Sequence, residues 1–417
     1  DPRVAQVYDK VMRGENGVTP LKNLREAELI AQWVCGELIL DVGAGTGRGS
    51  LPMAQAGKRI TALDSSQAML EHYARDAAGL PVTFEVGDAA ALRFEDAAFD
   101  SVVSLNAMVH FPHWREVLAE WARVTRPGGR IVFDVYSQDH LDGAAGILDL
   151  SPLEALQKQQ YVSHATGESV SGEYMTYLTR LRTADLVQHA GALGLKVVAV
   201  VPYGLTLFGV EHSVWRWNTL ADGAAWQRGL SWLGQDARLD AFVLFLERTV
   251  IAPLTSRVTG AYMVALEKAD DPAACLAANM AWQTQEQAIN TVLRGPITAQ
   301  TVAGLPLGWD AAWRETLNQH LDWPRNRVLF YWLWSGFWDF SGKLDLADFI
   351  APRHAETLAQ WRRQWQLDHT TQHWLRAFIQ APEFSDQFEW RGVNLREGLE
   401  YELTRELLSD YFKAFAQ

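Results

Sequence analysis

Residues 39–50 read ILDVGAGTGRGS: a short apolar run, one acidic residue, and then four glycines in seven positions. A strand gains nothing from such a cluster, because glycine loses more backbone entropy on ordering than any other residue. The cluster therefore indicates that another group must approach the backbone closely. In open α/β sheets, ligands bind at the carboxyl ends of the strands, and the loop that follows the first strand lies there.

The spacing of the glycines narrows the kind of ligand. A dinucleotide fingerprint, GxGxxG, would need a third glycine at position 48 or 50, and the chain has Arg48 and Ser50 there. The run instead reads DxGxGxG from Asp41. The dinucleotide interpretation is therefore rejected.

Strand-like and helix-like segments alternate through the first 250 residues. Strands are predicted at 37–42, 58–64, 81–88, 99–106, 130–136, 196–203 and 240–248, with helices between most of them. The last two strands lack an ordinary crossover helix, so we expect them to form an antiparallel pair. The pattern predicts an α/β fold with a seven-stranded, doubly wound, mostly parallel sheet. Segments 137–182 and 204–239 do not fit the alternation.

Beyond residue 250 the pattern becomes helical, beginning with SRVTGAYMVALEKA, and eleven of the 18 tryptophans lie there. We predict a second, all-α, Trp-rich domain over 251–417, docked on a first domain over 1–250. The tryptophans at 332–338 are interpreted as its core, with a substrate-facing surface as the alternative. His369 and His373 have an i, i+4 spacing that can bind zinc, but no third ligand is evident and no metal is predicted.

Composition limits the partners and the compartment. The net charge is −13 and neither half of the chain is basic, which disfavours nucleic acid as a partner. No apolar stretch approaches 18 residues, so no membrane span is predicted. The two cysteines, Cys35 and Cys275, lie far apart, which indicates a reducing, cytoplasmic protein.

Together with its surroundings, the DxGxGxG run resembles class I S-adenosylmethionine-dependent methyltransferases, in particular the type 11 group that acts on small molecules. The resemblance is close over residues 5–136 and topological over 183–248, and includes the turn and strand EWARVTRPGGRIVFDV. Asp64 in TALDSS matches the acidic residue that ends the second strand and holds the ribose hydroxyls. Asp88 in EVGDAA matches the acidic residue near the adenine amino group, and Tyr8 in AQVYDK matches the aromatic residue over the methionine end.

The resemblance implies S-adenosyl-L-methionine as the cofactor, held by a set of residues spread over the loops after the first four strands. That set is Tyr8, Asp41, Gly43, Ala44, Gly45, Gly47, Asp64, Ser65, Met69, Asp88, Ala89 and Asn106.

On the acceptor side, a general base is needed only when the acceptor is a protonated oxygen or nitrogen or an acidic carbon. The candidates are His110 and His113 after the fourth strand, and His140, Tyr161 and His164 in segment 137–182. We expect segments 137–182 and 204–239 to border the acceptor pocket, the first as a lid.

These observations predict an enzyme that methylates a small molecule, without settling whether the acceptor atom is O, N or C. The Asn/Asp-Pro-Pro-Tyr/Phe loop and the Pro-Cys nucleophile of nucleic-acid methyltransferases are both missing. Two alternatives stay open: a methyltransferase of RNA or protein that uses the helical half for recognition, and a cofactor-binding scaffold without catalysis. A homo-oligomer contact through the helical half is also left open.

Overall fold

The structure is a computed structural model that describes residues 18–139, 179–204, 234–256, 259–293, 298–323, 326–327, 330, 349–356, 389–390 and 393–394. Its centre is a seven-stranded sheet in the order β3-β2-β1-β4-β5-β7-β6. The strands are β1 Leu38–Val42, β2 Arg59–Asp64, β3 Val82–Val86, β4 Phe99–Ser104, β5 Thr125–Tyr136, β6 Leu195–Tyr203 and β7 Ala261–Lys268. Neighbours among β1 to β5 pair in parallel, and β7 runs antiparallel to both β5 and β6.

The strand order reverses at β1, which pairs with β2 on one side and β4 on the other. In a doubly wound sheet, this reversal opens a crevice at the carboxyl ends of the strands, where ligands bind. The predicted fold class is confirmed: a mostly parallel, seven-stranded sheet with helices between the strands.

Helices flank this sheet. They are α1 Val18–Trp33, α2 Leu51–Gln55, α3 Gln67–Asp76, α4 Trp114–Val124, α5 Thr183–Ala192, α6 Ala237–Leu246, α7 Pro272–Leu293, α8 Ala299–Val302 and α9 Ala311–Leu321. The amphipathic pattern of α4 buries Trp114, Leu118 and Trp121, and the Trp121 ring packs edge-on against Phe133 of β5. The sheet and this helix share one hydrophobic core.

The predicted strand at 240–248 is wrong, because this segment forms most of α6 and a following π-helical turn, Glu247–Ile251. The Asp236 carboxylate caps the helix, accepting hydrogen bonds from the backbone N–H groups of Arg238 and Leu239 at 3.0 and 3.4 Å. The buried residues Leu239, Phe242, Val243 and Leu246 recur at steps of three and four, which is the period of a helix face.

The seventh strand lies instead in AYMVALEK, which the sequence analysis interpreted as helical. Its first six residues are buried, because β7 is inserted between β5 and β6 and both of its faces are covered. A fully buried strand loses the polar–apolar alternation that would identify it. The predicted boundary at residue 250 therefore falls before the last strand of the sheet, and the all-α prediction for 251–417 is corrected at β7.

The next helix, α7, packs on the same sheet through a buried amide. Asn279 accepts a hydrogen bond from the Val197 N–H at 2.8 Å and donates to the Val187 and Leu195 carbonyl oxygens, both at 2.9 Å. A Cβ at Gly191 of α5 would lie 2.7 Å from the Leu276 Cα, so the two helices touch at the backbone. Helix α7 is thus a structural layer of the sheet domain.

Further along, two tryptophans attach α9 to the turn after α6. Trp309 and Trp313 stack with ring centroids 5.2 Å apart, and their indole N–H groups donate to the backbone oxygen and hydroxyl of Thr249 at 3.0 and 2.9 Å. A short antiparallel strand pair, β8 Glu389–Trp390 with β9 Val393–Asn394, also departs from the all-α prediction.

Several predicted features of the C-terminal half lie outside the described residues, namely the tryptophans at 332–338 and the pair His369 and His373. No helix within the described part of the chain combines the length and apolarity needed to cross a bilayer. The division of the chain into two domains stays a prediction.

Candidate functional site

The glycine loop leaves β1 and is tied to the neighbouring strand β2. Gly43, Gly45 and Gly47 all have a positive φ, of 69°, 55° and 83°. The N–H groups of Gly43 and Ala44 both donate to the Leu63 carbonyl oxygen, at 2.8 and 3.0 Å. Because non-glycine residues disfavour this backbone region, the sequence pattern and the loop shape agree.

The three glycines are needed for different reasons. A Cβ at Gly43 would lie 2.4 Å from the Ala107 Cβ, and one at Gly47 would lie 2.3 Å from the Tyr73 ring, so both positions are closed by packing. A Cβ at Gly45 would meet no atom of the described residues closer than the Gly43 carbonyl oxygen at 4.0 Å. Gly45 therefore presents its backbone to open space at the crevice.

Asp64 ends β2 and faces the same loop. Its Oδ2 accepts from the Gly45 N–H and its Oδ1 from the Ser66 N–H, both at 2.8 Å, while the side chain remains half-buried. An ionised carboxylate offers about four acceptor positions, and these two bonds occupy two of them. Asp64 can therefore hold the loop and still accept from two hydroxyl groups of a ligand.

Asp41 supports the glycine loop from its buried side. It is 1% exposed, and its carboxylate accepts a hydrogen bond from the Ser50 hydroxyl, which in turn lies 2.8 Å from the Tyr73 hydroxyl. Burial raises the pKa of Asp41 to about 7, with the nearby Asp64 carboxylate adding to the rise and the Ser50 hydrogen bond opposing it. Its predicted role as a cofactor contact stays a prediction; in the structure its bonds go to the protein.

The remaining predicted positions on this side follow β2 and β3. Ser65 is exposed, and Met69, in the first turn of α3, donates its N–H to the capping Ser66 hydroxyl at 3.4 Å. Asp88 follows β3, is exposed, and accepts from the Ala90 N–H at 2.9 Å, while Ala89 is buried. The strand order β3-β2-β1 places these loops side by side along one edge of the sheet.

Asn106 follows β4 with an unusual backbone, a φ of 53° in a residue other than glycine. Its N–H donates to Asp134 Oδ1 at 2.5 Å, and in the orientation that satisfies its amide, its side-chain nitrogen donates to Asp134 Oδ2 at 3.0 Å and its oxygen accepts from Arg48. Burial and the nearby Glu26 raise the pKa of Asp134 to about 6. The Asn106 amide is thus engaged within the protein, and its predicted contact with a cofactor stays a prediction.

The network around Asn106 contains four residues that were not predicted as site residues: Arg48, Asp134, Glu26 and Tyr203. The sequence contained one indication that Arg48 has a special role: it occupies the position where a dinucleotide fingerprint has its third glycine. Asp134 follows the apolar run IVF within β5 and is 2% exposed, which also marks a buried polar contact.

Of the candidate bases, two lie within the described chain. His110 is exposed in a 3₁₀ turn, Met108–His110, directly after β4. Thr179, near the end of segment 137–182, donates its N–H to the Val109 carbonyl oxygen at 2.6 Å and its hydroxyl to the Phe111 carbonyl oxygen at 3.1 Å. Thr179 is thus fixed on both sides of His110. That segment 137–182 borders the acceptor site stays a prediction.

His113 caps α4 and is exposed. Tyr8, His140, Tyr161 and His164 lie outside the described residues. Among the residues that the structure describes, no group of three or more His, Cys, Asp or Glu side chains is arranged to hold a metal ion.

Comparison with known proteins relates the residues around the crevice to one family of domains. Residues 39–129 match the family model described as a methyltransferase domain, a span that runs from β1 into β5 and includes the glycine loop, Asp64, Asp88 and Asn106. Residues 39–129 are thus similar to methyltransferase domains, and the sheet that contains them has the class I fold. The expected resemblance is confirmed for this domain, whose sheet extends beyond the matched residues to β7.

Curated relatives match this chain over about a quarter of its length. A demethylmenaquinone methyltransferase of Renibacterium salmoninarum is 41% identical over 104 residues, which are 25% of this chain and 43% of that protein. The O-methyltransferase cnsE of Penicillium expansum is 36% identical over 110 residues, 25% of this chain and 40% of that protein. The methyltransferase GfsG of Streptomyces halstedii is 34% identical over 134 residues, which are 29% of this chain and 48% of that protein. The chain thus spans less than half the length of each of these relatives.

Solved structures similar to the methyltransferase domain give only weak matches. A putative methyltransferase complexed with the Haloferax volcanii Trm112 activator has a TM-score of 0.39 at 19% identity, over 64% of this chain and 97% of that one. Magnesium protoporphyrin IX methyltransferase from Synechocystis PCC 6803, solved with bound SAH, has a TM-score of 0.36 at 15% identity, over 61% and 85%. At these scores the likenesses carry no argument, and the fold rests on the strand order.

The cofactor of class I methyltransferase domains is S-adenosyl-L-methionine, and the residues present fit it. Gly45 leaves room for close approach of a ligand to the backbone. Asp64 keeps acceptor capacity for a pair of vicinal hydroxyls, and Asp88 stands exposed one strand further along. A ribose followed by an adenine presents hydrogen-bond donors in this order, so the two carboxylate acceptors match the cofactor chemically.

Proposed function

We propose that the protein is an S-adenosylmethionine-dependent methyltransferase that acts on a small molecule. The observation that carries the proposal is the open backbone at Gly45, set against the half-buried Asp64 carboxylate at the switch in strand order. Curated relatives named as demethylmenaquinone and O-methyltransferases support a small-molecule acceptor. The acidic net charge of −13 and the missing nucleic-acid motifs support it as well.

In this proposal, Asp64 accepts from the ribose hydroxyls and Asp88 borders the adenine, while the loop 43–47 lines the methionine portion. When bound, the cofactor supplies an electrophilic methyl group on a sulfonium sulfur. Positioning the acceptor in line with that group, in a site closed to water, provides most of the rate in reactions of this kind. The protein therefore needs well-placed walls more than a strong acid or base.

The acceptor would lie beyond Asn106, on the β4–β5 side of the cofactor. His110 is the described candidate for taking a proton from a hydroxyl acceptor, because it is exposed in the turn that follows Asn106. The anchored Thr179 supports a role for the preceding segment, which includes His140, Tyr161 and His164, as a wall of the acceptor site. The proposal also includes a cytoplasmic location and a homo-oligomer contact through the helical half of the chain.

A pair of glycine substitutions tests cofactor binding at Gly45. Gly45→Ala puts a methyl group into the open space at the crevice, whereas Gly79→Ala puts one into open space before β3, at the opposite edge of the sheet. Both glycines have a positive φ, 55° and 81°, so both substitutions should cost roughly 1 kcal/mol of stability through backbone strain. We expect Gly45→Ala to weaken binding of S-adenosylhomocysteine, measured by calorimetry, by about tenfold or more.

Gly79→Ala should bind as the wild type does. Equal affinity of both variants and the wild type would contradict the placement of the cofactor, and a wild type that does not bind would contradict the function itself. Turnover is tested separately, by following release of S-adenosylhomocysteine with a panel of phenols, quinols and amines. His110→Ala should slow transfer to hydroxyl acceptors while leaving the calorimetric affinity unchanged.

A further inference from the structure

A ring of five polar side chains, called here the polar ring, joins five of the elements around the crevice. Its members are Glu26 of α1, Arg48 of the glycine loop, Asn106 after β4, Asp134 of β5 and Tyr203 at the end of β6. Each member bonds to the next, and Tyr203 closes the ring by lying 3.2 Å from Glu26 Oε1 and 3.4 Å from Asp134 Oδ2. These elements are distant in sequence, so only the fold brings them together.

Arg48 makes the most connections in the polar ring. Its side chain is 11% exposed and pairs with Glu26, which is 1% exposed. Its Nη1 also donates to Asn23 Oδ1 of α1 at 3.1 Å, while Nη2 donates to the Asn106 amide oxygen. One guanidinium thus binds α1, the glycine loop and the turn after β4 at once, which its rigid array of donors allows.

Asp134 fixes the backbone at the other side of the polar ring. Both of its oxygens accept from Asn106, one from the N–H and one from the side chain. The left-handed backbone of Asn106, which costs energy in a residue with a Cβ, is therefore held in place by a buried carboxylate. Strained backbone of this kind persists only where its surroundings enforce it.

We propose that the polar ring is a positioning device for the cofactor site, with Arg48 and Asp134 setting the glycine loop and Asn106 in their binding geometry. The inference rests on the proposed function, because it concerns the same crevice. The bonds of Arg48, Asp134 and Asn106 described above go to other protein groups, so the device acts through the backbone of residues 43–47 and 106. Preorganised backbone reduces the ordering cost that a ligand must otherwise meet.

The test compares two arginines with similar connectivity in the protein with its full chain. Arg48→Met keeps the side-chain length and removes the charged donors. Arg123→Met is the matched control: Arg123 pairs with Glu120 and Asp96 and donates to the Phe94 and Leu92 carbonyl oxygens, near the amino end of β4 and away from the crevice. Both variants should lose stability in urea unfolding.

Binding of S-adenosylhomocysteine separates the two variants. Arg48→Met should weaken it by about 10- to 100-fold, the scale of one or two charge-assisted hydrogen bonds, whereas Arg123→Met should stay within about twofold of the wild type. Arg48→Lys keeps one connection and should recover part of the loss. Tyr203→Phe removes a single oxygen, should remain folded, and should weaken binding by about threefold or more.

Hydrogen exchange in the ligand-free protein gives a readout independent of the cofactor. Arg48→Met should speed amide exchange in peptides covering 43–50 and 105–110, and leave α7 unchanged. Unchanged exchange and affinity in Arg48→Met and Tyr203→Phe, or equal changes in Arg123→Met, would overturn the positioning role. A wild type that binds no S-adenosylhomocysteine would refute the proposed function, and the exchange comparison would still decide the role of the polar ring.

Discussion

Asn279 offers the sharpest test of the claim that α7 belongs to the methyltransferase sheet. Replacing it by leucine keeps a side chain of similar size and removes all three of its hydrogen bonds. The site is fully buried, so the Val197 N–H and the Val187 and Leu195 carbonyl groups lose their bonds without access to water. An unpaired buried N–H costs roughly 1–3 kcal/mol and each lost carbonyl bond about 0.5–1 kcal/mol.

These contributions predict a loss of about 3 kcal/mol in the free energy of unfolding for Asn279→Leu, measured by urea denaturation. The control is Gln285→Leu, an amide-to-leucine change at an exposed position of the same helix, which should stay within about 0.5 kcal/mol of the wild type. If Asn279→Leu loses no more stability than Gln285→Leu, then α7 is not an integral layer of the sheet. Calorimetric affinity for S-adenosylhomocysteine should survive the substitution, because α7 packs on α5 and β6, away from the glycine loop.

Two more predictions concern the extent of the domain and its dependence on pH. A fragment of residues 1–250 lacks β7, so β5 and β6 lose their shared partner and we expect this fragment to be insoluble. The fragment 1–293 includes β7 and should be soluble and bind S-adenosylhomocysteine. A 1–250 fragment that is soluble and binds would contradict the strand assignment. Burial raises the pKa of Asp41 to about 7, so the folded state keeps a proton that the unfolded state releases, and stability should fall as pH rises from about 4 to 7. Asp41→Asn removes this cost. The free energy of unfolding of the variant, taken relative to that of the wild type, should therefore rise by about 3 kcal/mol between pH 5 and pH 8 in urea titrations. No such rise would be seen if Asp41 were ionised throughout this range.

Much of the site could be predicted from sequence because its signals are local. The glycines at 43, 45 and 47 indicate a ligand-binding loop because they follow a strand, and Asp64 can face them because it ends the next strand. Both positions are as predicted, since a parallel sheet aligns the carboxyl ends of its strands. The strands from β1 to β6 could be located for the same reason, because the hydrophobic period and the turn residues lie within each segment.

The location of the seventh strand could not be decided in this way. DAFVLFLER and AYMVALEK are both short apolar runs, and a run of that length suits either a buried strand or a buried helix. For DAFVLFLER, the cap at Asp236 and the spacing of three and four residues from Leu239 to Leu246 are typical of a helix. The assignment of the strand to AYMVALEK depends on the fold, because β5 and β6 need a partner strand between them.

The sequence by itself therefore determined the class of fold, the glycine loop and the carboxylates around it, because each depends on residues that are neighbours along the chain. The tertiary structure alone decided the position of β7, the place of α7 on the sheet, and the polar ring. Arg48, Glu26, Asn106, Asp134 and Tyr203 come from five separate elements, and no local pattern records that they meet. A hydrogen bond acts over about 3 Å in space, and only the folded chain sets which groups are that close.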